Sequence, residues 1–271
     1  GQPAYKSMGA RSGYTLLTAL FIGVAGFMGG LTIFFEVLPK VVLFPILIFV
    51  GLEITSQTFR VVPRMHYPAL ALSMLPTVLG AWIGVVTGFS LFANNPLIGF
   101  IAFMAIAFGF FWAIEKNKDS GAGVLILLGF TFFMGLMLSR LIGAVLGFSN
   151  GASLIMLAFG GTGIIFAGMA TLASSVKKDL SVGLGKWLFA GVILLLIASI
   201  ANIWLQLPAL MLTISVVAIA IFSAFILVDV QRVINGGETN YIMATLAIYL
   251  DVYNVFTNLL ALLGIFGGDR R

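Results

Sequence analysis

Nine stretches of this 271-residue chain are almost wholly apolar: roughly 14–35, 41–59, 68–92, 96–114, 123–147, 152–174, 187–206, 209–230 and 241–266. At about 19–25 residues each, they match a hydrocarbon core about 30 Å thick. Backbone groups in lipid must be satisfied inside their own segment, so each stretch is expected to be a helix rather than an open strand. The polar residues fall in short loops between them, which leaves no room for an inserted soluble domain. The pattern predicts an all-α, polytopic membrane protein.

Composition agrees. The chain is 61% hydrophobic and 8% charged, with a mean hydropathy of +1.16, where a soluble domain carries about 25% charged residues. The net charge of +5 does not point to nucleic acid, because the basic residues stand singly or in pairs in the loops. They set orientation instead. With the N-terminus inside, the inner loops hold Lys6, Arg11, Arg60, Arg64, Lys116, Lys118, Lys177, Lys178, Lys186 and Arg232, and the outer ones only Lys40, Arg270 and Arg271. Ten against three favours N-inside and C-outside, which nine crossings allow. The chain has no cysteine and one histidine, which excludes disulfides and thiolate chemistry and argues against a zinc site. The opening GQPAYKSMGARSGYT reads as the interior of a longer protein: a fragment, a fusion or a processed product.

Candidate chemistry gathers at the end of the chain. Asp229 lies near the inner end of the eighth segment, and Asp251 lies about ten residues into the ninth, about 15 Å along that helix. Ionisable groups at membrane depth are costly and mark function by default. Asp251, Asn254 and Asn258 recur at helical spacing, so they make one polar face that must look into the bundle. Two close carboxylates in a poorly solvated place cannot both ionise easily, so they share a proton and titrate in coupled steps. Deprotonated, such a pair suits a hard cation such as calcium. The bland reading is a hydrogen-bonded carboxyl pair that only fixes helix packing.

Other motifs carry less. Glu53 and Gln57 share a helix face and could line a polar path; the favoured reading is a Glu paired locally near the inner interface, close to Arg60. Gly147-Phe148-Ser149-Asn150-Gly151 fits the nucleophile-elbow pattern but stands between two helices with no histidine nearby. His66 is read as a solvated side chain in a basic loop. Gly26-x-x-x-Gly30, Gly143-x-x-x-Gly147 and Gly160-Gly161-Thr162-Gly163 read as small-residue surfaces for close helix packing. Lys177, Lys178 and Asp179 read as a topology anchor at the lipid surface. No nucleophile–base or metal constellation survives, so an enzyme is not expected.

Two resemblances divide the chain. Residues 1–67, with GQPAYKSMGARSGYTLLTALFIG and LPKVVLFPILIFVGLEITSQTFRVVPRMHYPA, resemble late helices of the nucleobase (xanthine/uracil-type) permease family. That family's substrate site lies among earlier helices, so nucleobase transport is not expected. Residues 68–271 resemble the Bax inhibitor family (transmembrane Bax inhibitor motif proteins) in its bacterial inner-membrane branch, above all in KKDLS and YLDVYNVF. This resemblance implies a seven-helix bundle around its last helix, preceded here by two extra helices. It also implies a pH-sensitive calcium leak pathway in the inner membrane, with Asp229 and Asp251 as the gating pair and calcium ligands and no cofactor. Channel-type members place an arginine near the inner end of the second helix as partner for the pair. Here that stretch, FWAIEKNKDSG, offers Lys116 and Lys118, and lysine lacks the planar fork. Arg140 lies either within reach of Asp251 or, as favoured, at the outer interface. The branch also includes a modulator of a membrane-embedded AAA protease, so the alternative is an interaction protein of membrane quality control. Lipid, a cation and, in the alternative reading, that protease are the partners the resemblance implies.

Overall fold

The computed structural model describes residues 67–90, 95–176 and 179–268. The first two apolar segments, with Glu53, Gln57, His66 and the Gly26–Gly30 motif, lie outside the described residues, as do Lys177 and Lys178. Seven helices run through the rest: α1 (Tyr67–Thr87), α2 (Pro96–Asn117), α3 (Gly121–Leu146), α4 (Gly151–Ser175), α5 (Ser181–Leu205), α6 (Pro208–Ile234) and α7 (Tyr241–Gly267). Among the described residues, six of these helices are long and apolar enough to cross a membrane. The protein is a polytopic helical membrane bundle.

Local chemistry sets the boundaries. Asn95 caps α2, its side chain accepting from Leu97 N at 2.9 Å and Ile98 N at 3.2 Å, with proline opening the helix. Asn240 caps α7 in the same way, accepting from Ile242 N at 3.0 Å and Met243 N at 3.1 Å. α1 ends one residue before Gly88, whose φ of +67° suits glycine. Two helices run past the ends that hydropathy predicts. α5 starts at Ser181 rather than 187, where Asp179 accepts from Ser181 N and Oγ. α6 continues to Ile234 rather than stopping at 230, so Asp229 and Arg232 both lie within it.

α7 is the central helix, packing against α1, α3, α4 and α6 and touching α2, while α5 packs on α6. One apolar core joins Ala170 and Ala173 of α4, Ile226, Val230 and Val233 of α6, and Ala244, Ile248 and Val255 of α7. A second joins Ile114 of α2, Leu127, Phe130 and Met134 of α3, and Ile242, Leu246 and Tyr249 of α7. The periphery is apolar too. All four tryptophans are well exposed, with Trp112 and Trp187 toward one end of the bundle and Trp82 and Trp204 toward the other. That is the placement of interfacial aromatic belts.

The closest helix approach is between α1 and α3. A Cβ on Gly80 would meet the Phe132 carbonyl oxygen, one on Gly84 the Ser139 side chain, and one on Gly135 the Thr77 carbonyl oxygen. Small residues let backbones meet at this distance. Of the glycine surfaces expected from spacing, Gly161 packs against Leu259, whereas a Cβ added at Gly143, Gly160 or Gly163 would meet no packed neighbour within 4 Å among the described residues. Spacing shows that a helix face is small; it does not show that another helix covers it. The loop through Gly147–Gly151 is a helix-to-helix turn, with Gly151 N donating to Phe148 O at 3.1 Å. The strand that a nucleophile elbow requires is not there.

Candidate ion-gating site

Asp229 sits five residues before the end of α6 and Asp251 ten residues into α7, roughly 8 Å and 15 Å along their helices. Both are measured from the bundle end that carries Lys118, Arg232 and Glu238. The alanines Ala244 and Ala247 precede Asp251 on α7 at helical spacing and line a crevice with Asp229, Arg232, Val233, Glu238 and Met243. Small side chains here let α6 come close, and the two carboxyl groups meet within hydrogen-bonding reach of each other. Asp251 is buried, at 5% exposure. The Asp229 side chain keeps 13% exposure, toward the crevice. The crevice holds a cavity of about 20 Å³, room for about one water molecule.

Hydrogen-bond accounting sets Asp251 apart. Several buried hydroxyls in the bundle bond back to their own helix: Thr162 Oγ1 donates to Ala158 O at 2.7 Å, Ser223 Oγ to Ile219 O at 2.6 Å, and Thr245 Oγ1 to Tyr241 O at 2.6 Å. Among the described residues, Asp251 Oδ2 is the one buried side-chain atom left without a partner. A polar atom in that condition costs about 1–3 kcal/mol, more when charged. It asks for a proton, a water or a cation.

The rest of the expected set is distributed as follows. Asn254 and Asn258 are half-buried on α7, and each donates to its own helix, to Leu250 O and Asn254 O at 2.8 Å. Lys118 Nζ pairs with Glu115 at 2.6 Å, and that hydrogen bond and charge hold its ammonium above the ordinary lysine range. Lys116 Nζ stands 5.0 Å from the centre of the Trp112 ring. Arg140 is exposed near the opposite end of α3, its Nη1 donating to Ser90 Oγ at 3.5 Å. The cation that meets the pair is another one: Arg232, whose Nη1 lies 3.4 Å from Asp229 Oδ1. Its position three residues after Asp229 was a signal in the sequence, there read only as a topology charge. Sequence reasoning also missed Gln231, buried at 1% exposure, which donates to Val176 O at 3.2 Å and accepts from Leu180 N at 2.8 Å. It ties the α4–α5 loop to the helix that carries Asp229.

With the fold and the pair in view, the comparisons with known proteins agree on kinship. Residues 57–268 match the family described as inhibitor of apoptosis-promoting Bax1. The chain belongs to the Bax inhibitor family. An uncharacterized protein of Neisseria meningitidis is 35% identical over 205 residues, 75% of this chain and 90% of that protein. An uncharacterized membrane protein of Vibrio cholerae is 32% identical over 219 residues, 81% of this chain and 95% of that protein. A protein of Escherichia coli K12 named modulator of FtsH protease YccA is 38% identical over 174 residues, 64% of this chain and 78% of that protein.

Proposed function

We propose that this family member forms a pH-sensitive cation leak pathway, with calcium as the transported ion and the Asp229–Asp251 pair as both switch and ligand. The reading rests on one observation above the rest: a buried carboxylate oxygen of Asp251 without a partner, beside a second carboxyl at the base of a water-sized crevice. With a shared proton the pair is a closed hydrogen-bonded contact between α6 and α7. Without it, two carboxylates repel and offer up to four oxygens to a hard cation. The protein sits in the inner membrane in this reading, with the end bearing Lys116, Lys118 and Arg232 toward the cytoplasm.

Purified protein in liposomes tests this. Calcium flux is expected to change across pH 6 to 8, and Asp251→Asn to flatten that dependence. No flux at any pH in either protein would refute the leak pathway.

A second reading is supported by the name of the Escherichia coli relative, modulator of FtsH protease: the bundle acts as an interaction partner of a membrane-embedded AAA protease, and the aspartate pair only fixes packing. It expects the protease to co-purify from membranes and Asp251→Asn to leave that association unchanged. Absence of the protease from the purified complex counts against it.

A further inference from the structure

We propose that Arg232 is the plug of the crevice leading to the aspartate pair and that Glu238 is its alternative partner. With the guanidinium on Asp229 the crevice is shut; with it on Glu238 the carboxylates are open to a cation. The inference rests on the reading of the pair as the cation's path.

Four features carry it. Among the described residues, Arg232 is the one cation lining the crevice, which is also lined by the carboxylates of Asp229 and Glu238. Its contact with Asp229 is long, at 3.4 Å, and its side chain is 47% exposed, so release costs little. Glu238 is fixed at the rim. Its N–H donates to the Arg232 carbonyl at 3.2 Å beside the Gly237 N–H at 2.8 Å, and its Oε1 accepts from Asn240 N at 2.9 Å. A carboxylate has a second oxygen, and Arg232 lines the same crevice as Glu238. Nearby charges are engaged elsewhere: Lys118 with Glu115, and Asp119 accepting from Asn240 Nδ2 at 2.8 Å. Finally, the cavity of about 20 Å³ admits about one water, so a side chain that lines it must move for a hydrated cation to enter.

The test is calcium flux into proteoliposomes of the full chain at a pH where the wild type is mostly closed, with Arg232→Gln, Arg232→Lys, Glu238→Gln and Asp251→Asn beside it. Loss of the plug in Arg232→Gln is expected to raise flux about two- to fivefold, the scale of a partly exposed ion pair. Arg232→Lys keeps the charge and is expected to stay near wild type. Glu238→Gln leaves the arginine on Asp229 and is expected to lower flux by a similar factor. A structural role would not give opposite signs in the two neutral variants. If Asp251→Asn abolishes a wild-type flux that Arg232→Gln and Glu238→Gln leave unchanged or move together, the plug is wrong and the aspartate pathway stands. If the wild type passes no calcium, the pathway itself falls and the plug with it. Glu238 lies in the loop, so its variant remains informative if Arg232→Gln fails to fold.

Discussion

α7 has two buried faces, and they handle polarity in opposite ways. Toward α1 and α3 it presents Tyr249 and Tyr253. Tyr249 Oη donates to Thr77 Oγ1 at 2.8 Å and lies 3.4 Å from Thr131 O, Thr77 Oγ1 donates to Thr131 O at 3.0 Å, and Tyr253 Oη donates to Met134 O at 3.1 Å. Stacked and edge-on aromatics pack around this network, Phe130 and Tyr249 with ring centres 6.3 Å apart. Toward α6 the same helix presents Asp251, with one oxygen unpartnered. A satisfied network fixes one arrangement of helices. An unsatisfied carboxyl has more than one way to be satisfied, by proton, water or cation. The comparison teaches that burial alone does not mark a site in a membrane bundle; buried polarity that the protein leaves unfinished does.

The largest test of this contrast strikes the fixed side. Gly135 lies against the Thr77 backbone, where any Cβ collides with a carbonyl. Gly135→Leu is expected to cost at least about 1–3 kcal/mol, the scale of overpacking, and to lower the thermal unfolding midpoint in detergent sharply or abolish folding. An unchanged midpoint would mean that α1 and α3 do not need this approach.

A paired test sharpens the contrast further. Tyr249→Phe removes one hydroxyl from the network while Thr77 keeps its bond to Thr131 O, so the expected cost is about 1 kcal/mol, with the pH dependence of flux intact. Asp251→Asn is expected to do the reverse. It removes a charge that is hard to bury, so the midpoint holds or rises, and the pH dependence of flux is lost. Unfolding curves and flux profiles measured on both proteins decide it. If the two variants lose stability alike and leave flux alike, the two faces are one packing core and the site reading fails.

Much of this was legible in the sequence, for physical reasons. Long apolar runs in lipid have one solution, so the helices are visible from hydropathy alone. Asp229 and Asp251 stand out because charge is so rare in such runs. What was not legible depends on contacts between distant segments. Thr77 and Tyr249 are 172 residues apart, and nothing local in either marks the other. Gly80 and Gly135 pack backbone to backbone while Gly143 and Gly160 do not, although their local sequences look equally small. The last turn of α6 lies beyond the apolar run because hydropathy falls at Asp229-Val230-Gln231-Arg232. That turn is helical because Val230 and Val233 still bury apolar surface, and it places Arg232 beside Asp229 where an earlier helix end would have freed it.

The smallest effect lies outside the membrane, where a carboxylate is satisfied and exposed rather than buried and unfinished. Asp179 accepts from Ser181 N at 2.9 Å and Ser181 Oγ at 2.5 Å, and these bonds hold its carboxyl below the ordinary aspartate range. A group whose folded pKa is depressed stabilises the fold above its ordinary value and loses that contribution as pH falls through the lowered one. The start of α5 is therefore expected to be intact at neutral pH and to fray in acid, below about pH 4. Amide exchange at Ser181, corrected for the intrinsic rate, is expected to lose protection as the pH falls below about 4 in the wild type. In Asp179→Asn, whose amide oxygen still accepts but has no proton to take up, the protection is expected to be flat across the same range. A wild-type profile as flat as the variant's would show that the cap does not hold the helix start. An acid transition there alongside an unchanged flux profile would separate a carboxylate that only caps from the pair proposed to gate.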